Sequence, residues 1–186
     1  MTRDDASPLY FITGNAGKFA EVRALVTEVE RLDLDLAEIQ EFDARRIVTA
    51  KLAEARRHHA GAFLVEDTSL YLDALNGLPG PFIKWFLDRL GDAGIARLAL
   101  TLGNDRARAR TVLGYSAQDG QITLFEGEVT GTIVTPRGDR GFGWDKIFVP
   151  DGAEASFGQL EPEQKQAFSM RRMAVERFIA YYRARA

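Results

Sequence analysis

The 186-residue chain contains no cysteine. Disulfides, thiol nucleophiles and zinc sites built on thiolates are thereby excluded together, and a reducing compartment fits. Only two histidines occur, adjacent at His58 and His59 in "EARRHHAG". They close a charged helical stretch, where a cation complements the helix dipole. No recognisable motif places either one as a base beside Ser69 or Ser169, so a serine hydrolase is not supported. Cationic charge is in deficit, with 24 lysines and arginines against 27 acids and a net charge of −3. Proteins that bind long nucleic acid carry a basic field, and this chain shows none. No run approaches the ~18 apolar residues that a membrane span requires. The opening "MTRDDASP" matches neither a secretory signal nor a transit peptide. These absences together lead us to expect a cytoplasmic protein with neither membrane nor nucleic acid as partner.

What is present fits a folded enzyme. Hydrophobic residues make up 46% of the chain and charged ones 27%, which suits a packed core and not a disordered chain. No composition shift marks a linker, so residues 1–186 are read as one domain. Leu9 to Thr13 reads as a buried strand, and the residues after Gly17 place Phe19, Val22, Leu25, Val26 and Val29 on one helical stripe. Leu32, Leu34 and Leu36 alternate with charge and predict a second strand, followed by a helix over Asp43 to Ala60 that stops at Gly61. "AFLVEDTSLYLDAL" predicts a central strand ending in two acids, and "PFIKWFLDRL" and "AGIARLALTL" two short amphipathic helices. Two alternating strands, "RTVLGYSA" and "ITLFEGEVTGTIV", are joined by the turn signal "QDGQ". An irregular loop rich in glycine and aromatics follows, and one helix from about Pro162 closes the chain. The class is α/β.

Several stretches carry residues suited to chemistry. "TGNAGK" presents small residues and backbone N–H groups at a helix start, where the dipole and unpaired donors favour an anion. A plain strand-to-helix turn would look similar. It is not a Walker A loop, because two residues separate Gly14 from Gly17 and Phe19 follows Lys18. Lys51 shares a helical face with Ile47 and Ala55, so it either snorkels past the core or meets a phosphate. Glu66 and Asp67 stand at the end of the central strand, where open α/β sheets place ligands. Strand alternation turns only one of them to a given face. Hard carboxylate oxygens suit magnesium, and Glu38 in "AEIQ" offers a second such group. In "FGWD", Phe142 and Trp144 could stack a nucleobase or cap the core.

In this order the stretches resemble one family across nearly the whole chain, the inosine triphosphate pyrophosphatases. "TGNAGK" is similar to that family's phosphate turn, "EDTSLYLDALNGLPGPFIKWF" to its central block, "RGFGWDKIFVPDG" to its base-binding loop and "KQAFSMRR" to its last signature. The resemblance implies an elongated mixed sheet flanked by helices, two lobes around a deep cleft, and a homodimer. It also implies magnesium-dependent hydrolysis of a nucleoside triphosphate carrying a non-standard purine, giving monophosphate and pyrophosphate. By the same resemblance Thr13, Gly14, Asn15, Lys18 and Lys51 hold the triphosphate, with Thr68, Ser69 and Lys84 completing that side. Glu38 and Asp67 bind the metal, and Asp67 takes the proton of the attacking water. Phe142, Gly143, Trp144 and Asp145 wall the base, which Lys165, Met170 and Arg171 contact from the last helix.

One position departs from the pattern. The family signature Ser-His-Arg here reads Ser169-Met170-Arg171. Methionine donates no strong hydrogen bond, so a contact to the base edge is lost and an altered base preference is the main alternative. A binding protein without catalysis is the other.

Overall fold

The computed structural model describes residues 8–185, which fall into two compact units. Unit 1 comprises the chain through Asp67, Val112–Glu126 and the segment from Ala174 onward, and unit 2 comprises Thr68–Thr111 and Gly127–Met173. In chain order the elements are β1 (Leu9–Ile12), α1 (Ala16–Arg23), β2 (Val29–Leu32), α2 (Ala44–His58), β3 (Ala62–Leu72), β4 (Pro79–Gly80), α3 (Ile83–Thr101), β5 (Arg106–Ser116), β6 (Ile122–Ile133), β7 (Phe148–Pro150), α4 (Pro162–Ala167) and α5 (Met170–Arg183). The strands form one mixed seven-stranded sheet in the order β2-β1-β3-β5-β6-β7, with β4 paired to β3.

Unit 1 shows why its first strands are so apolar. β1 lies parallel to β2 and to β3, with Phe11 level with Arg31 on one side and Leu64 on the other. Alternation then builds two cores from one short sequence. Phe11 and Leu64 pack with Val22, Tyr115, Val175 and Phe178. Ile12, Phe63 and Val65 pack with Ala44, Val48, Leu52 and Ala55, the apolar stripe of α2. Burying Leu52 completely contributes roughly 1.5–3 kcal/mol. The Asp43 side chain caps α2 by accepting from the Arg45 N–H at 3.0 Å. Gly114 lets α2 approach the sheet, since a Cβ there would come within 2.4 Å of Val48 and 2.8 Å of Leu52.

Unit 2 has its own core, including Leu70, Leu72, Ile83, Ile95, Trp144, Phe148, Phe157 and Met170. β4 runs antiparallel to β3, and β7 antiparallel to β6. Gly91, with φ 66°, breaks α3 into the two helical pieces that the sequence predicts. α4 begins at Pro162 behind a capping box in which the Gln164 side chain accepts from the Glu161 N–H at 3.0 Å.

Four expectations are corrected. β3 does not end at the acids but continues through Leu72, because Leu70 and Tyr71 pair with Gly80 and Pro79. Glu66 and Asp67 therefore sit in mid-strand. Val29 belongs to β2 and not to the first helix, where the Arg23 guanidinium donates to its carbonyl at 2.6 Å, and Leu34 and Leu36 lie beyond the strand. The closing helix is two helices, since the Ser169 hydroxyl accepts from the Arg172 N–H at 3.2 Å and starts α5 afresh.

Candidate functional site

In unit 1 the turn from β1 into α1 is held by its own side chains. Asn15 has extended backbone and caps α1, its Oδ1 accepting from the Lys18 N–H at 3.0 Å. The Thr13 hydroxyl accepts from the Asn15 N–H at 3.1 Å. Ala16 and Gly17 open the first helical turn, where N–H groups lack intrahelical acceptors. The first turn of α1 itself carries no acid, which leaves the positive end of the helix favourable to an anion. Gly14 and Asn15 are exposed, and Thr13 and Lys18 are partly buried. A residue that the motifs did not reveal completes the turn. The Arg31 guanidinium donates from Nε to the Thr13 carbonyl and from Nη2 to the Gly14 carbonyl, each at 3.0 Å.

Beside the turn stands a group of charges. Glu66 is only 5% exposed and accepts from Lys18 Nζ at 3.0 Å. Lys51 pairs with the Glu38 carboxylate and lies 3.4 Å from the Glu66 carbonyl, so it does not simply snorkel to water. Glu38 is exposed in the irregular segment between β2 and α2, and Asp67 is partly buried in β3. Glu66 and Asp67, being adjacent in a strand, face opposite ways. Among the described residues no three acids or histidines gather into a metal cluster. Two carboxylates, Glu38 and Asp67, are nevertheless the number that magnesium takes when phosphate oxygens fill the rest of its shell, and their hard oxygens match it chemically.

In unit 2 the loop before β7 is organised around a buried carboxylate. Asp145 is 4% exposed, and its Oδ2 accepts from the Phe142 N–H and from Lys165 Nζ, both at 2.8 Å. Gly141, at φ 75°, leaves room for this, because a Cβ there would lie 2.1 Å from Asp145 Oδ2. The Lys165 ammonium lies 4.8 Å from the centre of the Phe142 ring, within cation–π range. Arg171 is 2% exposed, with its guanidinium carbon 5.8 Å from the same ring. Its Nη2 donates to the Thr68 hydroxyl at 3.1 Å, and that oxygen lies 3.0 Å from the Thr111 hydroxyl. Arginine cannot accept, so Thr68 Oγ1 is the acceptor in the first contact.

The remaining residues divide between core and surface. Trp144 packs edge-on against Phe148 at 5.4 Å and belongs to the core of unit 2, whereas Phe142 stays partly exposed. Met170 is 3% exposed in that same core, and its carbonyl faces Gly127 so closely that a Cβ there would fall 1.9 Å away. Ser69 is fully buried in β3, Gly143 is exposed in the loop, and Lys84 is exposed on the first turn of α3. Thr13, Gly14, Asn15, Lys18, Lys51 and Glu38 are thus gathered in unit 1, and Thr68, Phe142, Asp145, Lys165 and Arg171 in unit 2. Arg31 and Thr111 escaped the sequence reading. Each sits in an alternating strand without a motif, and strand pairing alone gives it meaning.

Known proteins share this arrangement of sequence and fold. The chain is 37% identical over 178 residues to the dITP/XTP pyrophosphatase of Methanopyrus kandleri, covering 93% of this chain and 95% of that one. It is 38% identical over 170 residues to the inosine triphosphate pyrophosphatase of Schizosaccharomyces pombe, covering 89% and 90% respectively. Its fold matches that of a HAM1 protein from Coxiella burnetii with a TM-score of 0.80 at 22% identity, over 95% of this chain and 98% of the other. The Ham1 family pattern matches residues 9–181, from the start of β1 almost to the end of α5, and the chain belongs to the Ham1 family.

Proposed function

We propose that the protein hydrolyses nucleoside triphosphates carrying hypoxanthine or xanthine, releasing the monophosphate and pyrophosphate. This reading rests on the gathering in unit 1 of a capped helix start, Lys18 paired with Glu66 and Lys51 paired with Glu38, in a chain that aligns almost end to end with a dITP/XTP pyrophosphatase. We read the two units as one functional domain, because β3, β5 and β6 each contribute residues to both.

The groups of unit 1 serve the reaction. Thr13, Gly14, Asn15 and the first-turn N–H groups of α1 hold phosphate oxygens, and Lys18 and Lys51 neutralise their charge. Lys51 has three N–H donors, two of them directed at Glu38 and the Glu66 carbonyl, which leaves a third for phosphate. Glu38 and Asp67 are the residues that would hold magnesium, which when bound neutralises charge developing on the phosphate oxygens. Asp67 accepts the proton of the attacking water as the oxygen closes on the α-phosphorus and the bond to pyrophosphate breaks. Fixed cations and N–H dipoles stabilise that departing charge without reorganising. Thr68, Ser69 and Lys84 are assigned to the polyphosphate on the family resemblance alone.

The groups of unit 2 serve the base. Phe142 offers an aromatic face, Gly143 and Trp144 are assigned to the base wall on the family resemblance, and Asp145 fixes both the loop and Lys165. Lys165 and Arg171 carry only donors, which suits the 6-keto oxygen of hypoxanthine or xanthine and opposes the 6-amino group of adenine. Met170, buried in the core, contributes shape and no hydrogen bond, which keeps altered base selection as the second reading. A homodimer is proposed on the family resemblance, and a cytoplasmic location on the composition. Among the described residues no helix is long and apolar enough to cross a membrane.

The test is product analysis with ITP and magnesium, comparing wild type with Asp67→Asn. Equal amounts of monophosphate and pyrophosphate are expected from wild type. The variant should lose ~10²–10⁴-fold in kcat while still binding nucleotide. Diphosphate and orthophosphate as products would refute attack at the α-phosphorus, and an unchanged kcat would remove Asp67 from the mechanism.

A further inference from the structure

We propose that Arg31 is a positioning residue for the phosphate turn. It acts through the carbonyls of Thr13 and Gly14 and through Asp33, and it thereby governs polyphosphate affinity. The inference rests on the phosphate reading of that turn. Arg31 lies in β2 level with Phe11 of β1, and its side chain reaches the two residues that follow β1. Its planar fork spans both carbonyl oxygens at 3.0 Å each. In a planar trans peptide the N–H is opposed to the carbonyl. Fixing these two oxygens therefore fixes the N–H groups of Gly14 and Asn15, and keeps two negative dipole ends from turning toward an incoming anion.

Asp33 gives Arg31 a second task. One Asp33 oxygen is 3.6 Å from Arg31 Nη2, and the other lies 4.0 Å from where a Cβ on Gly14 would stand. A carboxylate so near the turn repels phosphate, and Arg31 offsets it. A merely structural role fits the geometry less well. Gly14 is exposed and Thr13 partly so, which lets water satisfy their carbonyls if Arg31 is removed. The local pairing is also secured without it, by the Thr13 N–H donating to the Leu32 carbonyl at 3.3 Å.

The experiment compares wild type, Arg31→Ala and Arg31→Lys for melting temperature, for kcat and KM with ITP, and for inhibition by inorganic tripolyphosphate and by inosine monophosphate. Arg31→Ala is expected to raise KM and the tripolyphosphate inhibition constant roughly tenfold, the scale of lost hydrogen bonds from a charged donor. Its kcat, melting temperature and monophosphate inhibition should stay close to wild type. Arg31→Lys keeps the charge but cannot span two carbonyls, so it should recover only part of the loss. Unchanged KM and tripolyphosphate inhibition in Arg31→Ala would overturn the proposal, as would a fall in kcat and melting temperature with KM intact. Wild-type protein that tripolyphosphate does not inhibit would overturn the phosphate reading of the turn, and this inference with it.

Discussion

Lys18 has two obligations that pull against each other: it pairs with Glu66, a carboxylate 5% exposed, and in the proposed reaction it serves a phosphate. Removing one member of a fully buried pair costs about 3–5 kcal/mol because the other charge is left uncompensated. The Lys18 side chain is 23% exposed, so some of that loss is screened by water. Lys18→Met should therefore lower the urea midpoint clearly and weaken triphosphate binding. Adding Glu66→Gln removes the carboxylate that Lys18 faces and should recover part of the stability with none of the binding. Recovery of both would mean that Lys18 acts only as a partner for Glu66. Much of this cluster was legible in the sequence, because a lysine on an apolar helical stripe and paired acids in an apolar strand are both costly unless matched. The pairing was not legible. Which acid meets which lysine depends on strand register, and Arg31 looks like any exposed charge until β2 is laid beside β1.

At the scale of elements, the glycine-bearing loop before β7 is the part whose sequence and geometry bind each other most tightly. Gly141 holds φ 75° against Asp145, which in turn holds Phe142 and Lys165. Gly141→Ala meets a left-handed backbone cost of roughly 1–2 kcal/mol and a clash with the carboxylate as well. It should lower the melting temperature and raise KM for ITP more than it changes inhibition by inorganic tripolyphosphate. A variant with normal stability and normal KM would mean that the loop does not order the base-binding groups. The strand–turn–helix opening, α2 and the β5–β6 hairpin follow directly from hydrophobic period and turn chemistry. Errors arose where local pattern is ambiguous. Val29 suits a helix stripe as well as a strand, polar Glu66 and Asp67 look like a strand end until β4 pairs beyond them, and the break at Ser169 depends on one hydroxyl bonding one N–H.

For the whole molecule, the proposed function divides its labour along one chain. Unit 1 gathers the turn, the lysines and the carboxylates suited to phosphate chemistry, and unit 2 gathers buried cations and an aromatic face suited to a purine. Asp67 and Thr68, neighbours in β3, belong to different units, so one strand carries both the proposed proton acceptor and the hydroxyl that receives Arg171. In the proposed reaction the chain selects purines with a 6-keto group for hydrolysis at the α-phosphorus. A site built to donate to a substrate oxygen can reject an analogue lacking it by ~10⁴–10⁵-fold. GTP shares the 6-keto group, so its rejection depends on the 2-amino side of the base. The most direct measurement is kcat/KM for ITP, dITP, XTP, GTP, ATP and UTP with magnesium, with monophosphate and pyrophosphate both quantified. Efficient turnover of ITP, dITP and XTP is expected, with ATP and UTP lower by several orders of magnitude and GTP clearly disfavoured. Comparable turnover of ATP or UTP would contradict it.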